Sequence, residues 1–444
     1  MILKFRRYQS LIFNLMIMSF QFLNCERISS PHIRSDLYLT AVHVDVIEAT
    51  LSLEVEKPIE NAVYKLMRND SIIHSAKFEG KVVNYRDSEL RPSQTYTYQA
   101  TLLKSCEMVS RSSPISITTM DTTSHDFQWE IFTFGGNFGS SALFDVAIIS
   151  ENNIWAVGEI YADSAEPWLP YNAVHWDGVE WTLKRIYFYL CPNGTSPTPY
   201  PINSVFAFLE NDIWFARDGS FVRWNGSSFQ HDCSMNTLLN GSILKIWGES
   251  SKNLYAVGIN GTIIHYNDII WQKLESGTDN YINDIWGIIN PLQNSFALCP
   301  ISDKYSLSEE KLILIDVNQD VTEIPLPNPE PYSHRHLHTV WFRDRYKIFL
   351  GGVGLFIGEI NDTWIEVEQL RNYFFNRIRG TDVNNVFAVD DFGRIIHFNG
   401  CSWYEYPISM KALLFSLDVK QNIVVVTGYD SRRGYIIMGK REVN

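Results

Sequence analysis

His334, His336 and His338 alternate in the stretch Ser-His-Arg-His-Leu-His, the densest group of potential metal ligands in the chain. On an extended strand alternate side chains share one face, so three imidazoles could meet Zn²⁺ or another transition metal there. One strand alone cannot wrap an ion, and no Asp or Glu stands within three residues of the run. Surface or channel-rim histidines are therefore expected, available for binding, and no metal is assigned. Asp145, Asp284 and Asp382 could supply the carboxylate pair that cleaves a glycosidic bond. Spacing does not say which of them meet. Gly-x-Ser-x-Gly, His-Glu-x-x-His, the phosphate-binding P-loop and the dinucleotide fingerprint are all missing. No catalytic residue and no cofactor is assigned, and the chain reads as a binding protein more than as an enzyme.

The elements that would position these groups are repeats. A short phrase recurs seven times: Asn-Asn-Ile-Trp-Ala-Val-Gly at 152–158, Asn-Asp-Ile-Trp-Phe-Ala at 211–216, Lys-Asn-Leu-Tyr-Ala-Val-Gly at 252–258, and weaker copies at 293, 346, 384 and 421. Its aromatic residue comes back every 38–41 residues, with wider gaps of 59 (Trp155 to Trp214) and 53 (Phe296 to Phe349). A β-rich period of about 40–50 residues marks a propeller or an array. Before each phrase stands an apolar run ending in an aromatic and often a small residue, as in Ile246-Trp247-Gly248 and Ile285-Trp286-Gly287. After it comes a run ending in Asp-Gly or Asn-Gly (177, 225, 399), where both turn positions of a tight hairpin want φ > 0. Four antiparallel strands per repeat make a propeller blade.

The last copy supplies only three strands. Residues 127–134, Phe-Gln-Trp-Glu-Ile-Phe-Thr-Phe, read as the missing fourth, lent from the start of the domain to close the ring. A β-propeller over 125–444 follows, with seven blades counted and six or eight left open by the degraded copies at 293 and 346. Phe206, Trp247, Trp286 and Trp341 occupy one recurring place and are expected to be packing between blades rather than a sugar platform. Arg379 takes that place in the sixth repeat and needs a partner or a solvent route, such as an anion at the channel. The two wide gaps are loop insertions of the kind that form binding faces. The first holds Tyr161, Trp168 and Tyr171, rings of the sort enriched at interfaces.

Residues 36–120 are different, alternating apolar and polar in short runs. Leu90-Arg91-Pro92-Ser93-Gln94-Thr95-Tyr96-Thr97-Tyr98 resembles the Leu-x-Pro-x-x-x-Tyr-x-Tyr phrase of fibronectin type III domains. The resemblance implies a β-sandwich with Tyr96 as its corner tyrosine. Leu51 or Leu53 stands where such domains usually carry a tryptophan. The expected fold class is thus all-β, a fibronectin type III-like sandwich followed by a propeller.

Residues 1–25 read as a signal peptide: a basic start (Lys4, Arg6, Arg7) and an apolar run over Leu11–Leu23, too short to span a bilayer comfortably. The run stops on Cys25, which resembles a bacterial lipoprotein signal and implies acylation of that residue, with 26–35 as a tether. Asn24 departs from that pattern, and ordinary secretion stays open. A net charge of −13 argues against nucleic acid and anionic membrane surfaces as partners. Five further cysteines are too sparse for a disulfide scaffold; buried hydrophobes are the expectation, with Cys191 and Cys233 able to pair. The whole resembles cell-envelope propeller lipoproteins. It implies a monomeric, extracellular or lipid-anchored module that binds a protein or glycan, with a carbohydrate-active enzyme as the alternative.

Overall fold

The computed structural model describes residues 37–191, 194, 196–288, 295–302, 311–324, 326, 336–360, 364–408 and 410–442. Cys25 and the residues read above as signal peptide and tether, His334, and most of the second long insertion lie outside them. The chain divides into two compact units. The described residues up to Val42, with Thr50–Asp87 and Thr95–Thr118, form the first; His43–Ala49, Ser88–Gln94 and everything from Thr119 form the second.

The first unit is all β. Leu37–Val44, Ala49–Val55 and Val82–Asp87 make one sheet. Ser71–Lys77, Ala62–Arg68, Thr95–Lys104 and Glu107–Arg111 make another, and Ile115–Thr118 also pairs along Thr95–Lys104. Alternate residues are buried on both, Leu51, Leu53 and Val55 on the first, Tyr64, Leu66, Tyr98, Ala100 and Leu102 on the second. That is the period-two pattern of strands with one buried face. Tyr98 reaches Asp87 with its hydroxyl at 2.6 Å, and Arg68 donates to both oxygens of the same carboxylate at 3.0 Å. Tyr96 is buried too, with the Arg68 guanidinium 5.6 Å over its ring.

Among the described residues the second unit holds seven successive antiparallel sheets. Their innermost strands are Ala142–Ser150, Ser204–Leu209, Ile243–Ser250, the interrupted pair Tyr281–Ile282 and Trp286–Ile288, Thr339–Phe342, Phe375–Asp382 and Leu413–Lys420. The aromatic residue of each of the first six copies of the recurring phrase, and Val424 of the seventh, lies on the second strand of its sheet. The seventh sheet comprises Leu413–Lys420, Ile423–Tyr429, Gly434–Lys440 and, beside the last, Gln128–Phe134.

The repeated residues now have physical reasons. Glycine follows the recurring inner-strand residue (Trp247, Trp286 and Arg379) where a ring of the preceding sheet lands on it. A Cβ at Gly287 would stand 2.3 Å from the Trp247 ring, one at Gly380 3.0 Å from Trp341, and one at Gly248 3.0 Å from Phe208. Gly287→Val should therefore cost about 3 kcal/mol through overpacking between the third and fourth sheets. The check is a melting temperature well below that of the parent chain; an unchanged one would show that the sheets slide apart freely.

Within a sheet, the Asn of the phrase positions a histidine from the third strand. His175 Nε2 donates to Asn153 Oδ1 at 3.1 Å, His265 to Asn253 at 2.6 Å and His397 to Asn385 at 3.1 Å. Each imidazole lies against the aromatic of the phrase, centroids 4.5 Å apart for Trp155, 4.4 Å for Tyr255 and 4.2 Å for Phe387. The second sheet uses Asp212, Arg223 and Trp214 in the same places.

The hairpin turns correct one expectation. Gly178, Gly226 and Gly400 have φ of +98°, +90° and +96°, but the preceding Asp177, Asn225 and Asn399 do not have positive φ. Instead their Oδ1 atoms each accept two backbone N–H groups, of residues 179 and 180, 227 and 228, and 401 and 402. The short polar side chain organises the turn, leaving a single left-handed position.

Candidate functional site

Polar side chains project from the innermost strands and seal the axis of the ring. Asp145 is buried and takes both contacts of Lys245 Nζ at 2.6 and 2.7 Å, the Ser204 and Ser416 hydroxyls at 2.7 Å each, and the Val205 N–H at 3.0 Å. Asp284, also buried, receives Arg379 through two nitrogens at 2.7 and 2.9 Å, Arg377 at 2.5 Å, the Thr339 hydroxyl at 2.7 Å and the Val340 N–H at 3.2 Å. The same device recurs from sheet to sheet: an acid or hydroxyl takes a backbone N–H of the next inner strand. Ser204 Oγ accepts from Ile246, Thr339 Oγ1 from Ile378, and Asp418 Oδ2 from Ile148, which joins the seventh sheet to the first.

The electrostatics follow. Burial alone would raise the Asp145 and Asp284 carboxyls, but the cations beside them hold both below the usual range. Neither is a protonated acid near neutral pH, as a general acid must be. Burial and the neighbouring guanidinium groups push Lys245 down to about 8, against the pull of Asp145. Arg379 is buried, lies 4.8 Å over Trp286, and its anion is internal, Asp284. Asp382 sits apart from the axis, on Arg343.

At one end of the channel a cavity of about 250 Å³ remains, lined by Phe206, Trp247, Trp286, Lys245, Arg379 and Asp418 among others. Burial raises the Asp418 carboxyl. Trp247 also walls a second cavity of about 310 Å³ between the third and fourth sheets, lined with Glu249, Asn253, Tyr255, Phe296 and Asp316. Both open where the first strand of a sheet turns into the second.

The residues of the first insertion stand at the other end of the strands. Trp168 is 62% exposed, Tyr171 lies 4.1 Å under the Arg185 guanidinium, and the Tyr161 hydroxyl donates to Glu159 at 2.7 Å. His336 has a left-handed φ of +39° and His338 precedes the strand Thr339–Phe342, so the two do not alternate along one strand face. Cys191 and Cys233 form a disulfide across 42 residues; Cys299 is a buried thiol and Cys401 an exposed one. His231 stands beside the bridge, Nδ1 3.7 Å from Cys233 Sγ. His43, Asp45 and Glu48 also converge, but around a cation already present, Lys347 Nζ. The spacing of Asp and Arg codes, 95 residues apart for Asp284 and Arg379, carried no signal that they meet.

The buried histidines set a pH limit. Burial holds His338 down to about 4 and lowers His397, His175 and His265 as well. An unfolded histidine titrates near 6.5, so below that pH the unfolded chain binds protons the folded one refuses, and stability falls with pH. His43 has the opposite sign: burial lowers it, but Asp344 and Asp45 raise it to about 9, so its contribution is complete below 6.5 and lost through about 9. For fully buried His397 the slope below pH 6.5 is about 1.4 kcal/mol per pH unit. His397→Gln should be less stable at pH 7.5 yet flatter in melting temperature from pH 6.5 to 5. An equally steep variant would place the acid sensitivity elsewhere.

No family model and no curated protein matches the chain. Solved structures do. YCF48 bound to D1 peptide superposes with a TM-score of 0.52 at 15% identity, covering 72% of this chain and 100% of that one. YCF48 from Cyanidioschyzon merolae gives 0.48 at 16%, covering 70% and 98%. BamB from Moraxella catarrhalis gives 0.39 at 9%, covering 91% and 98%. The similarity to YCF48 establishes the β-propeller fold.

Proposed function

We propose that this protein is an extracytoplasmic binding module, a fibronectin type III-like domain carrying a seven-bladed propeller that holds a peptide segment of a partner protein. The observation that carries the reading is the sealed axis. The charges at the centre are spent on one another, so recognition falls to the ends of the ring. At one end two cavities share Trp247. Concave sites with aromatic walls and a few polar groups are what ligands enter. YCF48, of the same fold, is described as bound to a peptide, and a peptide is the partner class we carry over. The Cys191–Cys233 bridge suits an oxidising compartment and agrees with the leader.

Peptides selected by the chain from an immobilised library, then titrated in solution, test this. Ala207→Trp fills the channel-mouth cavity that Ala207 lines and should weaken capture about ten-fold or more, some 1.4 kcal/mol. Replacing 162–169 with a short Gly-Ser turn should leave capture intact. The reverse pattern would put the partner at the end that carries Trp168, and a library without hits would end the peptide reading.

A further inference from the structure

The cavity between the third and fourth sheets has a chemical bias. Its walls are Trp247, Tyr255 and Phe296, each more than nine-tenths buried. Trp247, Tyr255 and His265 form a continuous stack, with centroids 6.1 and 4.4 Å apart. Phe296 is locked parallel to Phe342 at 5.1 Å. Rings held this firmly keep their faces in place for a ligand.

Two carboxylates on these walls, Glu249 and Asp316, have no cation beside them among the described residues. Glu249 takes the Asn253 amide at 2.7 Å, and Asp316 takes the backbone N–H groups of Asn318 and Asp320 at 2.8 and 2.9 Å. Those donors are neutral, and neither carboxylate has an ion-pair partner among the described residues. No Lys or Arg lines the cavity among the described residues. The Tyr255 hydroxyl has no hydrogen-bond partner among the described residues, although the ring is buried. Burial, then Glu249, raises this phenol to about 12, so it stays neutral. This contrasts with the channel centre, where Asp145 is paired with Lys245, and Asp284 with Arg377 and Arg379.

We propose that this cleft receives an arginine side chain of a partner peptide. A guanidinium carries five N–H donors and no acceptor. It stacks on aromatic faces and binds carboxylates. Glu249 and Asp316 supply charge, Tyr255 Oη supplies a further acceptor atom, and Trp247 supplies a face. A volume of about 310 Å³ suits one side chain, being at the lower limit of ligand pockets. The net charge of −13 would draw a basic segment toward the whole surface. The proposal rests on the peptide-binding reading and adds the anchor to it.

The test uses the full chain and two probes, Ac-Gly-Arg-Gly-NH₂ and the same peptide with citrulline, an uncharged isostere. Tryptophan fluorescence or calorimetry should show the arginine peptide binding at least ten-fold more tightly than its citrulline twin, with the difference shrinking as salt rises. Glu249→Gln and Asp316→Asn should each remove most of that preference without moving the melting temperature. Tyr255→Phe, which keeps the ring stack, should weaken binding by a smaller factor. Equal binding of the two probes, or full preference in both carboxamide variants, would overturn the assignment. Glucosamine competing at concentrations that displace the arginine peptide would also overturn it, in favour of a sugar. The two readings fail separately. Library peptides that bind irrespective of arginine would sink the anchor and leave the peptide module standing, whereas no library binding together with no probe binding would sink both.

Discussion

A chain that begins at residue 138 will aggregate, while one that begins at residue 124 will melt cooperatively. The difference is the strand Gln128–Phe134, which pairs with Gly434–Lys440 in unbroken register from Phe134 opposite Gly434 to Gln128 opposite Lys440. It does more than complete a ladder. Phe127 and Trp129 pack with Phe387, Tyr406 and Val424 on the side of the sixth sheet. Phe132 and Phe134 pack with Trp176, Ile436 and Met438 on the side of the first. Losing one buried aromatic ring costs about 3–5 kcal/mol, and here buried Phe127 goes together with the half-buried Trp129, Phe132 and Phe134. What remains is an edge reading Gly-Tyr-Ile-Ile-Met-Gly, long and apolar, of the kind that recruits another chain. Size-exclusion profiles and circular-dichroism melts of both chains check this. Identical melting temperatures would mean that the ring closes without the strand.

Asp284→Ala will be among the most destabilising single substitutions in the propeller. It leaves Arg377 and Arg379 buried and facing each other, and it strands the Thr339 hydroxyl and the Val340 N–H. Removing one partner of a buried ion pair costs about 3–5 kcal/mol, because the other charge has lost its compensation. For a domain of this size that is roughly 10 °C in melting temperature. Arg379→Met with Asp284 intact should cost less, since Arg377 still pairs with the carboxylate. The double variant should fall short of the sum of the two singles, because the second substitution removes a charge the first had already orphaned. Strict additivity would mean that the two residues are coupled less than their 2.7 Å contact implies.

Much of the architecture was readable from neighbouring residues alone. Alternation along Ala49–Val55, the recurring Asn-aromatic phrase, the Asp-Gly and Asn-Gly turns and the three-stranded final copy all express local rules: period-two burial, β-branched packing and turn chemistry act over a few residues. The aromatic-then-glycine pattern of Trp247 and Gly287 was legible as packing, though not that the Trp247 ring rests on Gly287, and the Trp341 ring on Gly380, of the following sheet. His336 shows the limit of such rules, since strand periodicity was assumed for a segment whose backbone turns left-handed before the strand begins. The channel network was beyond them. Asp145 and Lys245 are 100 residues apart, and nothing near either says that closing the ring brings them to 2.6 Å. The same holds for the cleft, where Glu249 and Tyr255 come from one sheet and Phe296 and Asp316 from the next. Those juxtapositions depend on which edge of each inner strand faces the axis and on the register in which one sheet packs against its neighbour. Both are properties of the closed ring, set by long-range packing.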